Sequence, residues 1–401
     1  MPSPVEDQPG LLIRDSLKYS DAVLIIPPAL VPALACFDGG QTRSDLRAEL
    51  VRLTGSLEVS EIAEHLCSVL ENSGLLDNQV FHDMRAACER EFAESPVRKP
   101  AHAGTAYPDT EPELQSVMAQ YLARTEAPRL SLMPLAAPVA IAAPHVSPEG
   151  GWECYRAAYA ALPFSAADRT FVILGTSHYG EPDRFGLTAK PFVTPFGTTQ
   201  TAPDLLKILE AQPAAKHEDY CHAVEHSIEF QVVFLQSIYG PNIRVLPILV
   251  GSFGRSIYEG RAPETNENVA RFFDALGELH AREKDRLLWV LGVDMAHMGR
   301  RYGDAFPALA DQDRMCGVAE RDARRMERLN AGDPRGFWDL IQQNRDDLKW
   351  CGSAPLYTFL KAVPGARGTL HKYEQWNIDP QSVVSFAGIT FEEGSAPSTT
   401  D

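Results

Sequence analysis

Five side chains stand where residue type and position could do chemistry. Apolar runs at 139–143 (VAIAA), 171–174 (FVIL) and 287–293 (LLWVLGV) are each followed within four residues by a histidine: His145, His178 and His297, the last preceded by Asp294. One such histidine is more often a cap or loop residue than a functional group. Three delivered to the same kind of position point to a shared site, because ligands of open α/β sheets gather beyond the carboxyl ends of the strands. A fourth, His226, opens the stretch Glu225-His226-Ser227-Ile228-Glu229, whose continuation carries Ile228, Val232, Val233, Leu235 and Ile238 on one helical face. A helix start disfavours the imidazolium, so a neutral ring there could serve as a base; capping or packing is an equal alternative. Cys351, in Trp350-Cys351-Gly352-Ser353-Ala354-Pro355, precedes a helix expected from about Ala354. A thiol so placed is expected to be acidified, fit to bind a metal or act as a nucleophile.

These residues need elements to hold them. Apolar runs at 139–143, 171–174, 243–250 and 287–293 alternate with helical patterns at 112–124, 153–162, 226–239 and 265–281. Further helices are expected at 307–329, 333–343 and 354–362, and a last strand near 382–390. Continuous apolar runs mark strands covered on both faces, so the pattern predicts an α/β fold, an open sheet with helices on both faces. Residues 1–95 differ in texture: short apolar runs at 11–13 and 22–26, then helical periodicities at 44–53, 60–72 and 80–94. They predict a small α+β module, winged-helix-like or of the peptide-binding PqqD type. The stretch 96–100 reads as a linker, residues 101–393 as the main domain, and 394–401 as a disordered tail.

Composition excludes several functions. Lys and Arg number 37 against 54 Asp and Glu, a net charge of −17, and residues 1–100 alone carry nine against sixteen. Without a basic patch such a surface repels phosphate backbones, so no nucleic-acid partner is expected even for a winged-helix-like module. No apolar run approaches the ~20 residues of a membrane span, and the acidic N-terminus lacks the pattern of a secretory signal, so no membrane association and a cytoplasmic location are expected. Seven scattered cysteines without a CxxC pair indicate neither a disulfide framework nor a zinc ribbon. No internal repeat is evident.

The motifs, taken in order, carry a resemblance. Ala103-Gly104-Thr105-Ala106-Tyr107-Pro108, Ile141-Ala142-Ala143-Pro144-His145, Ile173-Leu174-Gly175-Thr176-Ser177-His178, Glu225-His226-Ser227-Ile228-Glu229, Pro247-Ile248-Leu249-Val250-Gly251, Asp294-Met295-Ala296-His297 and Cys351-Gly352-Ser353-Ala354-Pro355 resemble the landmarks of the Memo family, also called AmmeMemoRadiSam system protein B. The resemblance covers about 101–391. It implies a fold related to class III extradiol ring-cleavage dioxygenases and metal ligands at His145, His178 and Cys351. It further implies an acid/base role for His226, with Asp294 and His297 lining the same cleft, and functional association with a radical SAM protein and an AMMECR-like protein. Cysteine in place of the dioxygenase carboxylate is a softer ligand; iron is the first expectation, with copper or zinc open. Two departures stand out. Val146-Ser147-Pro148-Glu149-Gly150-Gly151-Trp152 replaces the family's usual His-Ala-Gly-Tyr continuation, and Thr105-Ala106-Tyr107 stands where relatives carry Ser-Trp-Tyr.

Three functions fit these residues. The first is a non-heme, metal-dependent oxidoreductase, dioxygenase-like, acting on a small molecule with His226 moving a proton. The second is a non-enzymatic module that holds a metal or a peptide in the same cleft. The third is a metallohydrolase. A titratable group beside the donor set, as His226 and Asp294 would be, favours chemistry over storage.

Overall fold

The structure, a computed structural model, describes residues 9–123 and 138–394. The chain divides after Ser95 into two compact units. The first pairs β1 (Leu11–Arg14) with β2 (Val23–Ile26) antiparallel, followed by α1 (Arg43–Thr54), α2 (Ser60–Asn72) and α3 (Gln79–Glu94). α1 begins at a reciprocal capping box, Thr42 with Asp45, and ends where Gly55 takes φ 70°, a conformation open to glycine at little cost. Leu46, Leu50, Ala63, Leu66 and Leu70 close a small core beneath the hairpin residue Ile26.

The second unit contains α4 (Glu111–Tyr121), β3 (Ala140–Ala143), α5 (Pro148–Tyr159), β4 (Thr170–Thr176) and β5 (Phe185–Leu187). Short strands β6 (Val193–Thr194), β7 (Gly197–Thr198) and β8 (Gln200–Thr201) lead to α6 (Pro203–Glu210), β9 (Ala215–Lys216), α7 (Cys221–Val224) and α8 (Glu229–Tyr239). Then come β10 (Arg244–Val250), α9 (Gly254–Glu259), α10 (Glu267–Glu283), β11 (Leu287–Gly292) and β12 (His297–Gly299). α11 (Arg314–Asn330), α12 (Pro334–Gln342), α13 (Ser353–Ala362), β13 (Arg367–Asp379) and β14 (Ser382–Glu392) complete it.

Ten strands form one mixed sheet in the order β12-β14-β3-β11-β4-β10-β5-β9, with β13 on β14 and β8 on β10. The centre, β3-β11-β4-β10, is parallel and buried. Side chains alternate between two covered faces: Val172, Leu174, Trp289 and Leu291 join a core with α10 and α13, while Phe171 meets Tyr239 of α8. The α/β expectation therefore holds, with a mixed sheet flanked by helices.

One expectation changes. Residues 96–100, read as a linker, are anchored in the second unit: Arg98 is 1% exposed and bridges Phe192. Its guanidinium finds a buried carboxylate partner in Glu229, and neither can leave the other in a dry interior. β13, thirteen residues long, went unforeseen because Lys372, Glu374 and Gln375 interrupt the apolar alternation; its pairing with β14 along nearly its whole length overrides that local signal. The tail expected at 394–401 lies, from 395 onward, outside the described residues.

Candidate metal centre

Register brings the site together. Ala143, Gly292 and Gly175 lie abreast at the carboxyl ends of β3, β11 and β4, so Pro144-His145, Asp294 and Ser177-His178 leave the sheet side by side. The segment after α7 packs directly onto these ends. A Cβ on Gly292 would lie 2.1 Å from the Ser227 carbonyl, and one on Gly175 would lie 2.5 Å from Ser227 Oγ. Ser227 Oγ donates to Thr176 O at 2.8 Å, seating His226 over the same edge.

One ring nitrogen each from His145, His178 and His226 falls within 4.8 Å of the others. The His178 and His226 rings stack with centroids 5.0 Å apart, and His145 stands edge-on to both at 4.9 and 5.2 Å. Cys351 Sγ lies 3.3 Å from His145 Nε2, although the two are 206 residues apart in the chain. Their Nδ1 atoms face outward. His145 Nδ1 meets Gly292 O at 2.9 Å, and one oxygen of Glu225 accepts from His178 Nδ1 at 2.9 Å and His226 Nδ1 at 3.0 Å. A carbonyl or carboxylate only accepts, so each ring carries a proton on Nδ1 and turns its Nε2 away from these partners. Glu225 also accepts from the backbone amides of His178 and His226 at 2.9 Å each.

Glu225 thus holds two rings at once. Burial alone would raise its pKa, but His178 and His226 outweigh burial and hold the carboxyl well below its usual range. Burial pushes His145 well below the ordinary imidazole value, and the neighbouring His178 and His226 add to that. For His178 burial acts the same way, yet Glu225 and Cys351 reverse it and leave the ring well above its usual value.

Asp294 and His297 both border the cluster. Asp294 is buried, its Oδ1 accepts from the His145 amide at 2.9 Å and its Oδ2 lies 3.4 Å from His145 Nε2; burial raises its pKa despite these contacts. His297 stands beside the cluster rather than in it. Its Nδ1 contacts Met295 O at 2.9 Å and Lys349 O at 3.2 Å, its ring meets Tyr302 edge-on at 4.9 Å, and burial lowers it to about 4. His226 is not in the first turn of α8, which starts at Glu229; its carbonyl accepts the Phe230 amide, and Glu225 rather than a helix dipole governs its ring. The Cys351 thiol is not acidified: burial raises it, outweighing the nearby His178.

Sequence reasoning missed Glu225 as an orienting group, though it adjoins His226 in the quoted motif, and a carboxylate behind a candidate ligand was the available signal. It also missed Gln231, whose Nε2 donates to Pro144 O at 2.8 Å and whose Oε1 accepts from Tyr159. A cleft of about 260 Å³ borders His178 and Cys351. Val250, Phe253, Ile257 and Trp350 supply apolar wall, Thr176, Ser177, Ser252 and Ser353 polar wall, and Asp346 and Lys349 also line it.

Fold and site define an open α/β protein with a histidine-cysteine donor cluster at the carboxyl edge of its parallel strands. The family model described as Memo-like protein matches residues 98–390, and the chain belongs to the Memo-like family. It is 26% identical over 388 residues to a MEMO1 family protein of Aquifex aeolicus, covering 95% of both chains. A MEMO1 family protein of Thermus thermophilus is 31% identical over 322 residues, 76% of this chain and 85% of that one. One from Methanopyrus kandleri is 27% identical over 311 residues, 74% of this chain and 99% of its own. The Aquifex match is too long to fit within 101–391, so that likeness extends into the first unit. Among the described residues, no helix is long and apolar enough to cross a membrane.

Proposed function

We propose that this cluster holds a metal ion, iron before copper or zinc, with His145, His178 and Cys351 as ligands. The protein would then be an oxidoreductase related to class III extradiol dioxygenases, acting on a small molecule. The observation that carries this reading is the outward orientation of three Nδ1 atoms, which turns three Nε2 atoms towards one point, with Cys351 Sγ 3.3 Å from that of His145. Such a donor set suits a borderline or soft cation, and the Glu225 and Gly292 partners match the outer hydrogen bonds that metal-bound histidines require. When bound, the ion would supply Lewis acidity and, as iron or copper, a redox couple.

The chain's own groups would do the rest. Glu225 fixes the proton of His226 on Nδ1, so Nε2 is the atom free to take or deliver a proton. Asp294 fixes the His145 backbone, and His297, held neutral, borders the site. The small adjoining cleft, apolar on one side and bordered by Asp346 and Lys349, suits a compact substrate with apolar surface and polar or charged groups.

A second reading, in which His226 is itself a ligand, is favoured by the approach of all three imidazoles within 4.8 Å. Metal analysis of untagged protein purified anaerobically, with the His226→Ala variant alongside, tests both. Retained metal with turnover reduced about 10²–10⁴-fold supports the proton-transfer role. Lost metal makes His226 a ligand. Metal bound with no turnover in either form leaves a non-enzymatic metal- or peptide-binding module, and zinc with hydrolytic turnover makes it a metallohydrolase.

For residues 1–95 we propose a peptide-binding role in the manner of PqqD-like or winged-helix-like modules. The family resemblance adds functional association with a radical SAM protein and an AMMECR-like protein. Co-elution of the full chain with each candidate partner tests this, and separate elution at micromolar concentration would count against it.

A further inference from the structure

α11 carries a carboxylate that the proposed chemistry does not use. Asp322 is fully buried, where an ionisable side chain is costly unless its oxygens are satisfied. Three side chains satisfy them: Trp350 Nε1 donates to Oδ1 at 2.6 Å, and Tyr373 OH and Ser385 Oγ donate to Oδ2 at 2.8 and 2.6 Å. Two of these donors lead to the candidate metal centre by separate routes. Trp350 immediately precedes Cys351. Ser385 Oγ accepts the Ala296 amide at 2.9 Å, and the Ser385 backbone bonds to both Met295 and Ala296.

The two routes meet again at the site. The Gly352 amide donates to Asp294 O at 3.0 Å, the His297 amide to Leu348 O at 2.9 Å, and Cys351 Sγ to Asp294 O at 3.6 Å. The approach to Cys351 is also a costly backbone. Asn344, Arg345, Asp346 and Lys349 all have φ between 52° and 55°, left-handed values that residues with a Cβ hold only when their surroundings impose them. Arg325, one turn along α11 from Asp322, pairs with Asp346 at 2.9 Å, and Asp346 in turn accepts the Trp350 amide at 2.9 Å. α11 therefore clamps this segment at two successive points.

We infer that Asp322 is a positioning residue for the candidate metal centre, locking the Trp350–Cys351 segment to the Asp294–His297 loop so that the Cys351 thiol faces His145 and His178. The inference rests on the reading of Cys351 as a ligand. Chemistry makes the carboxylate specific. An indole N–H only donates, and Ser385 Oγ, already accepting from Ala296, directs its own proton to Oδ2. An asparagine could serve Trp350 through its oxygen, but its amide would then face two hydroxyls as a donor and force the Ser385 hydrogen elsewhere.

The test is cobalt(II) titration of the full chain, read by thiolate-to-cobalt absorption in the near ultraviolet and by affinity. Asp322→Asn and Trp350→Phe should each lose most of the thiolate band and bind cobalt about 10–100-fold more weakly, as removal of an outer-shell partner does elsewhere. Tyr373→Phe, which leaves both routes intact, should keep the band. A cooperative melt for each variant establishes that it is folded, and if Asp322→Asn does not fold, Trp350→Phe decides. Folded variants that keep the parental band and affinity overturn the inference. A parent that binds cobalt without a thiolate band instead refutes Cys351 as a ligand, and the inference falls with that reading.

Discussion

Arg98→Met is the sharpest test of how the segment before the main sheet supports the site. Arg98 is fully buried and makes three kinds of bond: to the Glu229 carboxylate, to His222 O at 2.8 Å and to Glu225 O at 2.8 Å. Glu229 also accepts from the amides of Ala101 and His102 at 3.0 Å each and from the Tyr107 hydroxyl. Methionine matches much of the stem of Arg98 but leaves Glu229 without its cation. Breaking a buried pair from one side costs about 3–5 kcal/mol, which for a unit of this size moves the melting midpoint by roughly 5–8 °C. All five tryptophans lie in the second unit, so their fluorescence follows its unfolding free of the first. The pH dependence adds a second signature. In the parent, burial alone would raise the Glu229 pKa, but Arg98 and the other donors hold it below the usual carboxylate range. Its contribution is therefore present above the unfolded value of about 4.3 and lost as pH falls through the lower folded value. In Arg98→Met the buried, unpaired carboxyl titrates above its unfolded value and is relieved by protonation, so the deficit against the parent should narrow between pH 7 and 4. A shift below about 3 °C at pH 7, or a deficit that widens on acidification, would refute the account.

Other outcomes follow from the same geometry. Glu225→Gln can no longer accept from both imidazoles and both amides, and should weaken metal binding about 10–100-fold by chelator competition; parental affinity would exclude its orienting role. Gly292→Ala puts a Cβ 2.1 Å from the Ser227 carbonyl, so the segment bearing His226 must shift, costing about 1–3 kcal/mol in a urea melt; an unchanged midpoint would deny the close packing. The full chain, with net charge −17, should not retard duplex DNA at physiological salt, because it lacks the cation excess that releases counterions; a salt-sensitive shift would overturn that expectation.

Much of the framework was legible because it is written in local patterns. The runs at 171–174, 243–250 and 287–293 became β4, β10 and β11 within a few residues, since an apolar run bounded by polar turns has few alternatives to a buried strand. α8 was misjudged at its start, where the turn from Glu225 to Ile228 is set by Ser227 bonding to β4 rather than by any local cap. β13 escaped notice because an edge strand with one solvated border needs no apolar alternation.

What the sequence by itself determined is therefore the set of strands and the histidines standing at their carboxyl ends, both properties of neighbours in the chain. It could nominate Cys351, but its companionship with His145 was implied only by the family motifs. Tertiary structure alone decided that one carboxylate, Glu225, serves both His178 and His226, and that Arg98 closes on Glu229 across 131 residues. It also decided that burial raises the Cys351 thiol where its place before a helix argued for the opposite. The physical reason is common to all three. Hydrogen-bond partners and desolvation depend on which loops the strand order brings face to face, and that order is a property of the whole sheet, which no local stretch of sequence encodes.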